Sequence, residues 1–205
     1  YGVTMPVVRA MEEKGIVKLE SMRIYRDPLD LMISRSNQKQ EEVKMQTGRD
    51  FFLNEEQQLA VQTILKEWDQ KDKSVYLLHG VTGSGKTEVY MELIDFVRKQ
   101  SKQAIFLIPE IALTYQMVLR FYQRFGSRVS ILHSRMSAGE RYDQYEKAKN
   151  GEIDIMIGPR SALFTPFSNL GIIIIDEEHE ESYKSETVPR YHARETAQRR
   201  AEMEG

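Results

Sequence analysis

An apolar run at residues 75–79 leads directly into Gly80-Val81-Thr82-Gly83-Ser84-Gly85-Lys86-Thr87, and an amphipathic stretch, residues 87–99, follows. Strand, then G-x-x-x-x-G-K-[ST], then helix is the order in which this motif forms a phosphate-binding loop. Each position has a physical reason. Gly83 and Gly85 let the backbone turn so that its N–H groups converge on phosphate oxygens. The helix that follows adds its positive N-terminal end. Lys86 brings a cation to the β- and γ-phosphates, and the Thr87 hydroxyl is a ligand for Mg²⁺. The ligand expected at Gly80, Val81, Thr82, Gly83, Ser84, Gly85, Lys86 and Thr87 is therefore ATP with magnesium.

Around this loop, short apolar runs alternate with helical periodicity. Strands are expected at 75–79, 104–108, 129–133, 153–157 and 172–175, and helices at 87–99, 113–125 and 140–149. Strands that are apolar throughout, separated by helices, make a parallel sheet covered on both faces. The expected fold is thus α/β, a RecA-like P-loop NTPase lobe. Ligands of such sheets bind beyond the carboxyl ends of the strands. The run Ile172-Ile173-Ile174-Ile175 reads as a central buried strand, and Asp176-Glu177-Glu178-His179 follows it directly. A carboxylate at that place needs a partner, and a bound Mg²⁺ is one. Asp176 is the candidate metal holder, Glu177 the group that orients and deprotonates the attacking water, and His179 the reader of the γ-phosphate. Because Glu180 and Glu181 extend the charge run, these residues alone also fit a solvated acidic turn.

The 205 residues are 40% apolar and 29% charged, a balance that places the chain among globular rather than disordered sequences. The net charge of -2 announces no nucleic acid, but the mixed signs leave room for a local basic surface. With no cysteine there is neither disulfide nor thiolate zinc site, and a reducing compartment is the default. No apolar run is long enough to span a bilayer, so no membrane contact is expected. Residues 1–33 read as a helix carrying Val7, Val8 and Met11 on one face, ended by Gly15, and then two short strands at 16–19 and 22–25. That is the outline of a partial winged-helix-like segment. Residues 34–50 are polar and read as a linker, and 51–205 as the nucleotide-binding lobe. The chain starts with Tyr1, and we read it as an excised piece.

The phosphate loop together with Asp-Glu-x-His resembles the superfamily 2 helicases. Further stretches narrow the resemblance: Leu53-Asn54-Glu55-Glu56-Gln57, Pro109-Glu110-Ile111-Ala112-Leu113-Thr114, Gly158-Pro159-Arg160-Ser161-Ala162-Leu163-Phe164, Ser182-Tyr183-Lys184 and Pro189-Arg190-Tyr191-His192-Ala193-Arg194. They are similar to the primosomal protein N′ family, the bacterial replication-restart helicases, over essentially all of 51–205 and more weakly over 4–30. The resemblance implies that Gln57 touches adenine. It implies that Thr114, Ser134, Arg160 and Ser161 lie along the face used by a DNA strand. It also implies that residues 182–194 form an aromatic-rich loop coupling DNA binding to hydrolysis, with Tyr183, Tyr191 and His192 offering ring faces beside Arg190 and Arg194. Read without the resemblance, those tyrosines suit core packing and the arginines a solvated helix face. Tyr115 and Pro159 depart from the family pattern without touching its chemistry.

By the same resemblance, the parent is an ATP-dependent 3′→5′ DNA helicase of the bacterial cytoplasm, nucleoid-associated. It would work on forked or single-stranded DNA with other primosome proteins and the machinery that loads the replicative helicase. A helicase of this class needs a second lobe that supplies an arginine to the transition state. That lobe, and a zinc module of the family, are expected in the parent outside these 205 residues. This piece alone is expected to bind nucleotide but to hydrolyse it poorly or not at all. The alternative is an ATPase or DNA-binding module of another superfamily 2 DNA-repair translocase. A transporter ATPase is disfavoured because Leu-Ser-Gly-Gly-Gln does not occur, and an RNA helicase because Asp-Glu-Glu-His stands where Asp-Glu-Ala-Asp is usual.

Overall fold

The computed structural model describes residues 4–19, 53–68 and 75–204. Its ten helices and strands, among the described residues, are α1 (Met5–Glu13), α2 (Glu55–Trp68), α3 (Lys86–Lys99), β1 (Gln103–Leu107), α4 (Tyr115–Phe125), β2 (Val129–Ile131), α5 (Ala138–Lys149), β3 (Ile155–Gly158), β4 (Leu170–Ile175) and α6 (Ala193–Glu204). Short 3₁₀ turns at Glu110–Ala112, Arg160–Phe164 and Glu181–Tyr183 follow β1, β3 and β4. The strands form one parallel sheet in the order β2-β3-β1-β4.

Period-two alternation along β1 explains the two layers. Ala104 and Phe106 face α3 and α4, joining Tyr90, Met91, Ile94, Val118 and Phe121 in one core. Ile105 and Leu107 face the other way, with Ala148 of α5, Leu163, Tyr183, and Ala193 and Ala197 of α6. Phe106 and Phe121 stack with centroids 5.2 Å apart. The expected α/β lobe, a parallel sheet with helices on both faces, is what forms. α2 then docks on the outer side of α3 through Val61, with Leu53, Ile64 and Leu65 beside Val89 and Leu93. That docking carries Gln57 to the phosphate loop.

Local signals set the helix ends. Ser137 and Glu140 form a reciprocal capping box at the start of α5. The Thr114 side chain accepts Met117 N–H at the start of α4. Gly15 has φ +69 after α1, as its place in the sequence predicts.

Three expectations change. Residues 75–79 form no strand. Val75 and Leu77 are 71% and 78% exposed, while Leu78 packs inward on the α2–α3 cluster. A strand exists only where a neighbouring backbone completes its ladder, and among the described residues none stands beside this segment. For the same reason β4 is the edge of the described sheet rather than central, and Ile172, Ile173 and Ile175 are only half-buried. Residues 16–19 also form no strand, because nothing described pairs with them. The companion strand expected at 22–25 and the linker at 34–50 lie outside the described residues.

At the end of the sheet away from the loop, Arg98 Nε and Arg128 Nε donate to Asp154 Oδ2 at 3.2 and 2.9 Å. Burial alone would raise the Asp154 carboxyl, but the two arginines hold it below the usual carboxylate value. A carboxyl with a depressed native pKa contributes stability above its unfolded-state value and loses it as pH falls through the native one. Asp154→Asn should therefore lower the melting temperature at pH 7 and make little difference near pH 2. Melting curves across that range check it, and an equal loss at both ends would contradict it.

Candidate nucleotide site and adjoining cleft

Asn54 and Gln57 cap α2 reciprocally: Gln57 N–H donates to Asn54 Oδ1, and Asn54 N–H to Gln57 Oε1, both at 2.9 Å. The same Gln57 amide then donates through Nε2 to the Ser84 carbonyl at 3.0 Å. It thereby stitches α2 to the phosphate loop. Gly85 is in the left-handed region at φ +81, and a Cβ there would lie 2.2 Å from Gln57 Nε2. The backbone conformation therefore favours glycine, and a Cβ would also push the Gln57 amide off the loop. Lys86 Nζ donates to the Gly80 carbonyl at 2.9 Å, so its ammonium is held against the loop it opens from. α3 starts at Lys86 with no side-chain cap, leaving first-turn N–H groups for an anion.

Asp176 stands at the end of β4, tied by its N–H to the Leu107 carbonyl at 2.9 Å. Its carboxylate accepts from the Tyr90 hydroxyl at 3.3 Å and from the Glu177 backbone N–H. Its carbonyl accepts from the Tyr183 hydroxyl at 2.7 Å. Burial, then the charge of Glu177, raises the Asp176 carboxyl above its ordinary value, with Tyr90, the Glu177 N–H and Lys86 pulling it back. A half-buried carboxylate raised in this way gains from a cation placed beside it. Thr87 and Asp176 together offer hard oxygen donors. That set fits Mg²⁺, which takes one or two protein oxygens and fills its sphere with water and phosphate. Glu177 has φ +47, a sparsely populated backbone for a residue with a side chain. Its carboxylate lies 3.9 Å from His179 Nδ1, and the His179 side chain is 70% exposed. Glu178 pairs with Arg194 at 3.1 Å. The acidic motif therefore splits: Asp176 points in, Glu178 toward α6, His179 out.

Over the carboxyl ends of β1, β2 and β3 lies a cleft of about 350 Å³ lined by Glu110, Ser134, Arg141, Arg160, Ser161, Ser182 and Tyr183, among others. The Glu110 carboxylate accepts Ser134 N–H at 2.7 Å. Burial would raise the Glu110 carboxyl, but the Ser134 hydrogen bonds and the charges of His133 and Arg135 hold it below its ordinary value. Arg141 donates to the Ser134 carbonyl at 3.2 Å. Arg160 Nη1 donates to the Ser182 carbonyl at 2.9 Å and also to that of Lys184. Beyond this wall, Lys184 pairs with His192 in an antiparallel bridge, and Tyr191 meets Phe164 edge-on at 5.2 Å.

Residues 50–200 match the family described as type III restriction enzyme, res subunit. The chain belongs to that family. It is 47% identical over 95% of its length to replication restart protein PriA of Bacillus subtilis. The corresponding proteins of Synechocystis and Haemophilus influenzae are 40% identical over 96% of the chain and 42% over 92%. The chain spans 23%, 22% and 24% of those three relatives. The resemblance first read from short motifs is thus borne out over nearly the whole chain.

In this res-subunit family chain the structure brings Lys86, Thr87, Asp176 and Glu177 to one end of the sheet, with Gln57 alongside. Ser134, Arg160, Ser161 and Tyr183 come together in the cleft. Thr114 does not line it, being the helix cap described above. Arg190 is exposed on the loop closed by the Lys184–His192 bridge, and Arg194 and His192 hydrogen-bond each other through Arg194 N–H and His192 Nδ1 at 3.2 Å. Tyr183 is a correction. It is 1% exposed, its ring is in the core, and its hydroxyl is bound to Asp176, so it offers no face to a base. The same region holds residues the sequence reading passed over. Glu110 and Arg141 shape the cleft at Ser134. Tyr90 sits four residues after Lys86, a spacing that puts it on the same helix face.

Proposed function

We propose that this chain is the ATP-binding lobe of a DNA helicase acting in replication restart. The observation that carries it is the joining of two sites: Asp176, within the electrostatic reach of Lys86, is hydrogen-bonded through its carbonyl to Tyr183 in the wall of the cleft. The phosphate loop and the α3 N-terminus bind the triphosphate, and Lys86 exchanges the Gly80 carbonyl for phosphate oxygen. Thr87 and Asp176 would hold a magnesium ion, which would supply neutralisation of phosphate charge when bound. Glu177 orients a water and takes its proton, and His179 answers to the γ-phosphate. Gln57 reads adenine from its place beside the loop. A DNA strand runs along Ser134, Arg160 and Ser161, with Tyr191, His192, Arg190 and Arg194 in the adjoining loop and Thr114 nearby.

Relatives matched along nearly the whole chain are replication restart proteins, which supports the replication-restart role; forked DNA, 3′→5′ movement, primosome proteins and the bacterial cytoplasm are proposed for the full-length protein on the motif resemblance. The remaining transition-state groups would come from sequence beyond this chain. Residues 1–33 are proposed as a partial winged-helix-like segment linked through 34–50, a reading that its helix α1 supports and the absence of a strand at 16–19 does not.

ATP turnover by the full-length protein, with and without forked DNA, tests this beside Lys86→Ala. Turnover should rise with DNA and fall by about 100-fold or more in the variant. Turnover that ignores DNA would sink the helicase reading and leave a P-loop ATPase.

A further inference from the structure

Tyr90 lies in the first turns of α3, 8% exposed, its ring 5.7 Å from that of Phe106 on β1. Its hydroxyl reaches past the end of the sheet to Asp176 Oδ1 at 3.3 Å. The two residues are 86 apart in the chain, so no local constraint sets this contact.

We propose that Tyr90 is a positioning residue that aims the Asp176 carboxylate for its divalent cation and ties that carboxylate to the helix carrying Lys86 and Thr87. The inference rests on the nucleotide-site reading above. Asp176 is held at three other points: its N–H on Leu107, its carbonyl under Tyr183, and its carboxylate on the Glu177 N–H. The first two fix the backbone and leave the carboxylate free to rotate about χ1 and χ2. The third comes from a residue at φ +47 in the same turn, so it moves with the turn. Tyr90 is the contact that refers the carboxylate to a separate, rigid element. Its helix also carries the other cation-site oxygen, from Thr87, so α3 sets both ends of the site at once. A neutral phenol suits the task because it orients the carboxylate without cancelling the charge that the cation needs. An arginine or lysine would compete with that cation for the same oxygens.

The bland account is that Tyr90 is a core ring whose hydroxyl finds the nearest acceptor. Tyr90→Phe separates the two, since it keeps the ring against Phe106 and removes one oxygen. The affinity of the full-length protein for a non-hydrolysable ATP analogue would be measured with and without Mg²⁺, for the unaltered protein, Tyr90→Phe and Asp176→Asn. Asp176→Asn, which removes the carboxylate charge, sets the scale of full loss. The expected result for Tyr90→Phe is unchanged affinity without Mg²⁺, a melting temperature lowered by no more than the loss of one hydrogen bond, and a concentration of Mg²⁺ for half-maximal tightening raised roughly tenfold. An Mg²⁺ dependence identical to that of the unaltered protein would overturn the proposal and leave Tyr90 as packing. If Mg²⁺ tightens nucleotide binding equally in all three proteins, the assignment of Asp176 itself fails, a different outcome from failure at Tyr90 alone.

Discussion

Glu177→Gln should lower ATP turnover by about 10²- to 10⁴-fold while leaving nucleotide affinity within a few-fold. The amide keeps the size of the side chain and its place in the turn but cannot take a proton. Binding should survive because the phosphate contacts are proposed to come from other groups: the loop N–H groups, Lys86 and the start of α3. The substitution also removes a negative charge that acts on Asp176, so affinity for Mg²⁺ should fall slightly rather than rise. Lys86→Ala should differ in kind by weakening binding as well as turnover. Steady-state turnover and equilibrium nucleotide binding, measured side by side on the full-length protein, check the pair. Unchanged turnover in Glu177→Gln would remove Glu177 from the chemistry. A loss confined to binding would make it a structural residue of the turn.

Tyr183→Ala should destabilise the fold by about 3–5 kcal/mol, the range for truncating a buried aromatic ring, whereas Tyr183→Phe should cost about 0.5–1.5 kcal/mol. The difference follows from where the side chain lies. Its ring fills the core between the sheet and α6, so the alanine leaves a cavity, whereas phenylalanine forfeits only the hydrogen bond to the Asp176 carbonyl. Denaturant titration measures both. A base-stacking residue would behave in reverse, with little change in stability and a clear fall in affinity for single-stranded DNA. That pattern in Tyr183→Ala would contradict the burial described here. The phenylalanine variant carries a second consequence, since it loosens the strap between the cleft wall and Asp176. DNA-stimulated turnover in it should fall more than basal turnover does.

Much of this protein was legible as a string of letters because the signals are local. Continuous apolar runs and period-3.6 patterns marked β1 to β4 and α3 to α5 within a few residues. Glycines at two fixed offsets marked the loop, because only they relax into left-handed backbone there. Four consecutive isoleucines ahead of Asp176 announced a strand end, and the Arg-Tyr-His-Ala-Arg stretch pointed to the family. Pairing and burial, by contrast, depend on residues far apart. Residues 75–79 have the composition of a strand, yet a ladder needs a neighbour's backbone, and composition does not contain one. Tyr183 and Tyr191 look alike in sequence, but one is sealed between sheet and helix and the other half-covered by Phe164. The hydroxyl of Tyr90 on Asp176, the guanidinium of Arg160 on Ser182 and the amide of Gln57 on Ser84 each join segments that only the folded sheet brings together. Hydrogen bonds act over about 3 Å, so the residues capable of this chemistry were set by the sequence, while which of them meet was decided by the tertiary structure.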